Sequence, residues 1–391
     1  MAGRRRRGRL DMAAVPRIGA AALVALIAAC GTAGSAGSAA DKAAADKAND
    51  TAVTAARAAA EPAGTISESG SGLLFPVAQK WAAAYHQQFP AVTVTTASTG
   101  SGKGIALASA GQVDIGASDA YLSSGDLVKN PALLNIPLAI SAQTIIYNIP
   151  GLSRDSHVDL DGKVLAAIYD GTVKTWNDPA IVGIGANKNL HLPGIPIVPL
   201  HRSDASGDTF LFTSYLSTQD EQWNDTIGYG TTAAWPPAPR ATPAKGSVKT
   251  MDACEATPGC IAYNGISYLS QAQGSGKIGE AALANSAGNF TLPTSTAVLD
   301  SVRSFVSLTP PNETISVIEG PAADGYPIVN YEYAIVSTRQ PSAAKAAAIK
   351  AFLNWVITTG NASSYLNHAG FQPLPATLVS LGADQIREIG S

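Results

Sequence analysis

Hydrophobic and polar positions along the chain follow two alternating periods. Short runs rich in β-branched residues predict strands at 92–95, 113–117, 144–149 and 197–200, and a further strand that ends at Val336. Between these runs, apolar residues recur every three to four positions, which predicts helices. The helices are expected after residue 73 and at 101–110, 208–217 and 341–358. Because strands and helices alternate, the pattern predicts an α/β fold with parallel or mixed sheets.

The N-terminal segment has a different pattern. Six arginines within the first 17 residues precede an apolar run from Ile18 to Ala29, and Cys30 follows it. A basic start, a short apolar run and small residues before a break are typical of a secretory signal. The tetrapeptide that ends at Cys30 resembles a bacterial lipobox, so residues 1–29 are expected to be removed and Cys30 to be lipidated. Ordinary cleavage nearby is the alternative, and Met12 is a plausible second start.

Residues 30–63 are rich in Ala, Gly, Ser, Asp and Lys, and they predict a solvated tether before the globular part. Removing residues 1–29 takes away six arginines and one aspartate, which leaves a net charge of −8. A chain this acidic is not expected to bind nucleic acid through a broad cationic face. Any bound anion must be held by local dipoles and a few placed groups.

The two remaining cysteines, Cys254 and Cys260, are close in sequence, and an exported chain is expected to join them as a disulfide. The five histidines are scattered without the spacing of metal ligands. We therefore expect neither a metal nor another cofactor.

Three glycine–serine turns each precede a predicted helix, at 69–73, 99–102 and 204–208. The first N–H groups of a helix have no partner within the helix, and its dipole favours negative charge, so such turns suit a small oxyanion. Plain helix capping by serine is the alternative for any single turn. Arg202, four residues before Ser206, brings a planar fork of donors and favours an anion site.

Asp119 is unexpected at an anion site because its carboxylate repels a bound anion. It makes sense if the ligand carries a proton, since phosphate near neutral pH donates a hydrogen bond and sulfate only accepts one. The alternative is that Asp119 merely caps the turn that follows. A nucleotide P-loop at 101–104 is not supported, because Gly104 stands where Ser or Thr is required, and no GxSxG motif is present.

Five motifs in this order carry a resemblance to a known family. They are Gly-Leu-Leu-Phe-Pro at 72–76, Gly-Ser-Gly at 100–102, Asp-Ile-Gly-Ala-Ser-Asp at 114–119, Gly-Thr-Val-Lys-Thr-Trp-Asn-Asp at 171–178 and His-Arg-Ser-Asp-Ala-Ser-Gly-Asp at 201–208. Over about 65–390 the chain resembles the periplasmic phosphate-binding proteins of ABC transporters, the PstS family, and especially the mycobacterial phosphate-binding lipoproteins.

The resemblance implies a two-lobed periplasmic-binding-protein fold, type II-like, with a hinge between the lobes. Lobe 1 would comprise 65–145 and 329–391, and lobe 2 would comprise 146–328. The implied function is to capture inorganic phosphate and deliver it to an ABC-type permease and its ATPase. The protein would be a monomer, anchored by lipid at Cys30 to the outer face of the cell membrane.

The resemblance also implies the role of each site residue. The implied phosphate-binding residues are Ser71, Gly72, Leu73, Ser101, Asp119, Arg202, Ser206, Gly207 and Asp208, with Asp204 orienting Arg202. Two positions depart from a common family pattern. Gly72 stands where a threonine is usual, so only a backbone N–H remains there. Asp208 stands where some members have threonine, so its side chain is expected to turn away or stay paired.

Two alternatives compete with phosphate capture. The first is the same fold with another oxyanion, such as sulfate, molybdate or a phosphonate. The second is a phosphatase, which would need a serine nucleophile and His201 as its base. Neighbours on a strand point to opposite faces, so His201 is expected to point away from the site if Arg202 points into it. We therefore expect no enzymatic activity.

Overall fold

The computed structural model describes residues 64–390, so the predicted signal segment, Cys30 and the tether lie outside the described residues. The strands are β1 (Gly64–Gly70), β2 (Val92–Thr95), β3 (Ile115–Ser118), β4 (Leu133–Tyr147), β5 (Asp159–Leu160), β6 (Val198–Arg202), β7 (Thr242–Ala244), β8 (Cys260–Gly265), β9 (Gly279–Glu280), β10 (Ala282–Ala284), β11 (Phe290–Thr291) and β12 (Val329–Ser337).

Helices pack between and around these strands. They are α1 (Phe75–Gln88), α2 (Ser101–Ser109), α3 (Ser124–Lys129), α4 (Gly162–Tyr169), α5 (Pro179–Val182), α6 (Gly207–Gln219), α7 (Glu221–Thr226), α8 (Ser247–Ala256), α9 (Leu269–Gly274), α10 (Ser295–Val306), α11 (Ala343–Ile357), α12 (Ser363–Leu366) and α13 (Ala376–Glu388). Within residues 64–390, no helix has the length and apolar character needed to cross a membrane.

A mixed sheet organises the described part of the chain and confirms the predicted α/β fold. Its strand order is β2-β1-β3-β12-β4-β8-β6-β7, and β9 lies beside β4. Strands β2, β1 and β3 run parallel, as do β8, β6 and β7, whereas β12 and β4 run antiparallel to their neighbours. A separate three-stranded sheet has the order β11-β10-β5.

Strand β4 links the two halves of the large sheet. Its first part, up to Ala142, pairs with β12, and from Gln143 onward it pairs with β8. The sequence predicts only 144–149 as a strand, because Pro137 interrupts the pattern upstream. Pro137 lies where the register with β12 shifts by one residue, and such a bulge accommodates a residue that has no N–H to donate. The lobe boundaries at 145/146 and 328/329 stay a prediction.

The long helices pack their apolar faces on the sheet. In α1, Val77, Trp81 and Tyr85 are buried, as the spacing predicts. Helix α11 begins two residues later than expected from Pro341, because Ser342 caps it by accepting the Lys345 N–H at 3.1 Å. Near the far end of the sheet, Cys254 at the end of α8 and Cys260 at the start of β8 form the expected disulfide.

Candidate functional site

The carboxyl ends of β1, β3 and β6 meet at one place. Ser71 follows β1, Asp119 follows β3, and Arg202 is the last residue of β6. All three are buried. In open α/β sheets, ligands bind at the carboxyl ends of parallel strands. The structure therefore brings together the key residues that the sequence predicts.

The Asp119 carboxyl group is the most unusual feature of this site. Its Oδ1 accepts a short hydrogen bond from the Ser71 hydroxyl, and its backbone N–H donates to Ser101 Oγ at 3.1 Å. Its Oδ2 is buried and has no hydrogen-bond partner among the described residues. Gly207, the first residue of α6, lies directly against this atom, and a Cβ there would overlap with it. Oδ2 is therefore a buried acceptor that faces the start of α6.

The electrostatic surroundings of Asp119 oppose its ionisation. Burial and the nearby Asp208 charge raise the pKa of Asp119 to about 7, although the Ser71 hydrogen bond and the Arg202 charge act to lower it. A carboxyl group in this position changes protonation readily near neutral pH. Small changes around it decide whether it accepts or donates a hydrogen bond.

Arg202 is held in a tight cluster of hydrogen bonds. Its Nε and Nη2 donate to the two carboxylate oxygens of Asp204 at 2.8 and 2.5 Å, and its Nη1 donates to Asp208 Oδ2 at 2.7 Å and to Ser247 Oγ at 3.2 Å. Burial alone would lower the pKa of Arg202, but these carboxylates raise it above its usual range. The guanidinium therefore stays charged, and one N–H of Nη2 remains for a ligand.

The Asp208 side chain stays paired, which was one of the two outcomes expected. Besides Arg202, it accepts a hydrogen bond from Ser247 Oγ at 3.0 Å. Gln143 of β4 donates to the Asp208 carbonyl at 2.7 Å and fixes the first turn of α6. The Asp208 carboxylate is therefore occupied by protein groups, and the Asp208 backbone N–H lies at the N-terminus of α6.

The turns before α2 and α6 are not ordinary serine caps. Gly100 and Ser206 occupy the N-cap positions of these helices; Gly100 has no side chain, and Ser206 makes no side-chain capping bond within the described chain. At α1, Ser71 Oγ accepts the Leu74 N–H at 2.9 Å. In an α-helix the first N–H groups have no intrahelical partner, so those of Gly207 and Asp208 are suited to an anion.

The backbone of the glycine–serine turn at 69–73 is held by hydrogen bonds from hydroxyl groups elsewhere in the chain. The Gly72 carbonyl accepts the Tyr268 hydroxyl at 3.0 Å, and the Leu73 carbonyl accepts the Ser267 hydroxyl at 2.8 Å. Across the site, the Gly102 N–H donates to the Ala205 carbonyl at 3.1 Å and ties α2 to the turn before α6. The three predicted turns therefore form one connected surface around Asp119.

Ser247 is a site residue that the sequence reading missed. A side chain at Gly72 would collide with Ser247 Oγ, so the hydroxyl that Gly72 lacks is replaced in space by one from α8. The signal was present, because Gly246 and Ser247 form a fourth glycine–serine turn that opens a helix. The Gly246 N–H donates to Asp204 Oδ1 at 3.0 Å and joins this turn to the Arg202 cluster.

Glu332 is a second residue that was missed. It lies on β12, is fully buried, and its Oε1 accepts the Ser141 hydroxyl at 2.6 Å. Burial raises the pKa of Glu332 well above its ordinary value, and the neighbouring Asp119 charge raises it further. A lone glutamate inside the otherwise uncharged strand Val329–Ser337 was the available signal.

His201 faces away from these groups. Its ring stacks on Trp235 with centroids 5.0 Å apart, while the Arg202 side chain points into the site. Over residues 64–390, no group of three or more His, Cys, Asp or Glu side chains is arranged to hold a metal ion.

Comparisons with known proteins place the chain in a family. The model of the PBP superfamily domain matches residues 55–359. A phosphate-binding protein PstS of Methanocaldococcus jannaschii is 32% identical over 353 residues, covering 84% of this chain and 88% of that protein. The chain belongs to the PstS family. Another PstS relative, phosphate-binding protein PstS 3 of Mycobacterium leprae, is 30% identical and covers 81% of this chain and 84% of that protein.

Solved structures show the same fold. A high-affinity periplasmic phosphate-binding protein matches with a TM-score of 0.62 and 21% identity, covering 84% of this PstS-family chain and 99% of the other. A phosphate ABC transporter substrate-binding protein from Clostridium perfringens matches with a TM-score of 0.55 and 16% identity, covering 80% and 100%. The two-lobed periplasmic-binding-protein fold expected from the sequence is thus confirmed.

Proposed function

We propose that the protein is the substrate-binding component of an ABC transporter that captures inorganic phosphate for import. Membership of the PstS family supports the ligand class and the transport role. The observation that carries the choice of phosphate is Asp119 Oδ2, a buried acceptor without a partner among the described residues, which faces the start of α6.

The unpartnered acceptor selects a ligand that carries a proton. Phosphate near neutral pH offers an O–H, which Asp119 accepts. Fully ionised sulfate offers none, so its oxygen would meet the carboxylate without a hydrogen between them. A buried polar group left unpaired costs about 1–3 kcal/mol, and more when it is charged. Specificity therefore comes from repelling the wrong ion as well as holding the right one.

The other ligand oxygens are held mainly by backbone dipoles. The N–H groups of Gly72, Leu73, Gly207 and Asp208 and the hydroxyls of Ser101 and Ser206 serve as donors in this proposal. Arg202 contributes the one N–H that Asp204, Asp208 and Ser247 do not use. Ser71 acts chiefly by orienting Asp119, because its hydroxyl already donates to that carboxylate.

The site binds phosphate without transforming it. A phosphatase on this scaffold would need a base beside Ser101 or Ser206, and His201 instead stacks on Trp235. The orientation of His201 supports pure binding. Ser206 also donates its backbone N–H to the Thr231 carbonyl at 2.8 Å, so it is anchored as part of the turn.

The protein is exported and anchored by lipid at Cys30 to the outer face of the cell membrane. A single acyl chain gives only marginal attachment, so multiple acylation is expected. The protein acts as a monomer. Lobe 1 (65–145 and 329–391) and lobe 2 (146–328) close over the ion, and the protein docks on a permease with its ATPase. The change of partners along β4 at Ala142 and Gln143 supports a hinge near that point.

Isothermal titration of the protein with phosphate, arsenate and sulfate tests this function. We expect tight binding of phosphate, binding of arsenate because it keeps a proton and a similar shape, and little binding of sulfate. Sulfate that displaces phosphate at equal concentration would overturn the assignment in favour of a general oxyanion site.

A further inference from the structure

A second carboxyl group lies behind Asp119 and has no role in the proposed capture of phosphate. Glu332 is fully buried on β12, beside β3. Its Oε1 accepts hydrogen bonds from Ser141 at 2.6 Å and from Asn330 Nδ2 at 3.4 Å. Its Oε2 lies 3.3 Å from Ser71 Oγ, the same hydroxyl that contacts Asp119 Oδ1.

Ser71 has one hydroxyl proton for two carboxyl groups. The short contact to Asp119 Oδ1 takes that proton, and the Leu74 N–H donates to one of the two lone pairs of the same oxygen. A serine hydroxyl donates only once, and its second lone pair accepts from another donor. The contact between Glu332 Oε2 and Ser71 Oγ therefore needs a proton from Glu332.

The proton belongs on Glu332 rather than on Asp119. Asp119 receives the stronger Ser71 hydrogen bond and lies within reach of the Arg202 charge, and both favour its ionised form. When two carboxyl groups are adjacent, one of them keeps its proton because two neighbouring negative charges repel. Glu332, which receives no hydrogen bond from Arg202, is that group.

We propose that Glu332 is a positioning residue that stays protonated and donates a hydrogen bond to the Ser71 hydroxyl, which in turn donates to Asp119 and keeps Asp119 ionised as the acceptor for the phosphate proton. The proposal rests on the phosphate site described above. Without this donor, the hydrogen bond from Ser71 to Asp119 is weaker, and Asp119 takes up a proton and donates to the ligand. A donor at that position no longer discriminates against sulfate.

The surroundings of Glu332 agree with a neutral carboxyl group. Asp119, in the turn after β3, shares the Ser71 hydroxyl with it, and the charges of Asp208 and Arg202 act on Asp119. Tyr333, the next residue of β12, is held neutral because burial raises its pKa well above the ordinary range. The groups from β4 and β12 that contact Oε1 are the uncharged Ser141 and Asn330. No cation among these neighbours contacts Glu332 directly.

Two substitutions at Glu332 distinguish a hydrogen-bond donor from a side chain that only fills space. Glu332→Leu fills similar space without a donor, and Glu332→Gln supplies an N–H that donates as the protonated acid does. We expect Glu332→Leu to lower the ratio of phosphate to sulfate affinity by about tenfold or more, and Glu332→Gln to restore most of it. The control is Glu313→Gln, another buried glutamate outside the site, which should bind like the wild type.

Infrared spectroscopy gives an independent readout. Between the wild type and Glu332→Gln at neutral pH, the C=O stretching band of a protonated carboxylic acid should disappear. Should Glu332→Leu fail to fold, this band and the selectivity of Glu332→Gln decide the matter.

The outcomes keep the two claims apart. The proposal is overturned if Glu332→Leu keeps the wild-type selectivity, if Glu332→Gln is as unselective as Glu332→Leu, or if no acid band is lost. In each case the wild type still binds phosphate. A wild type that binds no phosphate would instead overturn the proposed function.

Discussion

The two sides of the site treat buried charge in opposite ways. On the β6 side, Arg202 is bonded to both Asp204 and Asp208, so nearly every donor and acceptor of that cluster is used. On the β1 and β3 side, Asp119 lies among hydroxyls and a second acid, and its Oδ2 has no partner in the described chain. The first arrangement gives rigidity, and the second leaves one acceptor for a ligand. A site can therefore be strongly built and still carry one unsatisfied group that selects the ligand.

Removing the Arg202 cation from the β6 side of the site should have the largest effect on stability. Arg202→Met leaves the buried Asp208 and the half-buried Asp204 carboxylates without their partner, so we expect the free energy of unfolding to fall by about 3–5 kcal/mol. Urea denaturation measures it. The matched control is Arg303→Met, an exposed i,i+3 pair with Asp300, which should cost less than about 1 kcal/mol. Similar losses in the two variants would contradict the contrast.

Adding a methyl group at Gly207, where the two sides of the site touch, should have the next largest effect. A Cβ at Gly207 would overlap with Asp119 Oδ2 and Ser101 Oγ. We expect Gly207→Ala to cost about 1–3 kcal/mol of stability and to abolish measurable phosphate binding in calorimetry. Gly274→Ala is the control, because no other atom lies within 4 Å of the new methyl group there. Normal binding by Gly207→Ala would show that the start of α6 is not part of the site.

A smaller effect on stability is expected at a buried carboxyl group that no cation compensates. Glu313 is buried away from cations, Gln385 donates to its Oε2 at 2.5 Å, and burial raises its pKa to about 9. The folded state therefore holds this proton more tightly than the unfolded chain does. Its contribution to stability is complete below about pH 4.5 and is lost as the pH rises to about 9.

Glu313→Gln should therefore flatten the fall of unfolding free energy with rising pH. One proton contributes at most about 1.4 kcal/mol per pH unit. Urea denaturation at several pH values between 5 and 9 measures the slope for both proteins. Parallel slopes for the wild type and the variant would mean that Glu313 is ionised in the folded protein.

Sequence reasoning reached the site residues that lie in local motifs. Ser71, Ser101 and Ser206 stand in glycine-rich turns before helices, and Asp119 and Arg202 end strand-like runs. Such features can be found in a sequence because a few neighbouring residues determine where a helix or a strand ends. The structure brings these five positions together, as the order of the motifs predicts.

Contacts made across the sheet were not accessible in this way. Glu332 is far from Asp119 in sequence, and only the pairing of β12 with β3 brings them together. Ser247 repeats the glycine–serine pattern, yet its role follows from the space above Gly72, which requires the fold. The full length of β4 was missed because Pro137 hides a bulge inside a continuous strand.

The phosphate and sulfate affinities of Asp119→Asn, compared with those of the wild type, test the central claim most directly. Asparagine keeps the size of the side chain but removes the negative charge and presents an N–H donor. We predict that the preference for phosphate over sulfate falls by about tenfold or more, with the fold unchanged by thermal denaturation. An unchanged preference in a folded, binding-competent variant would contradict the account.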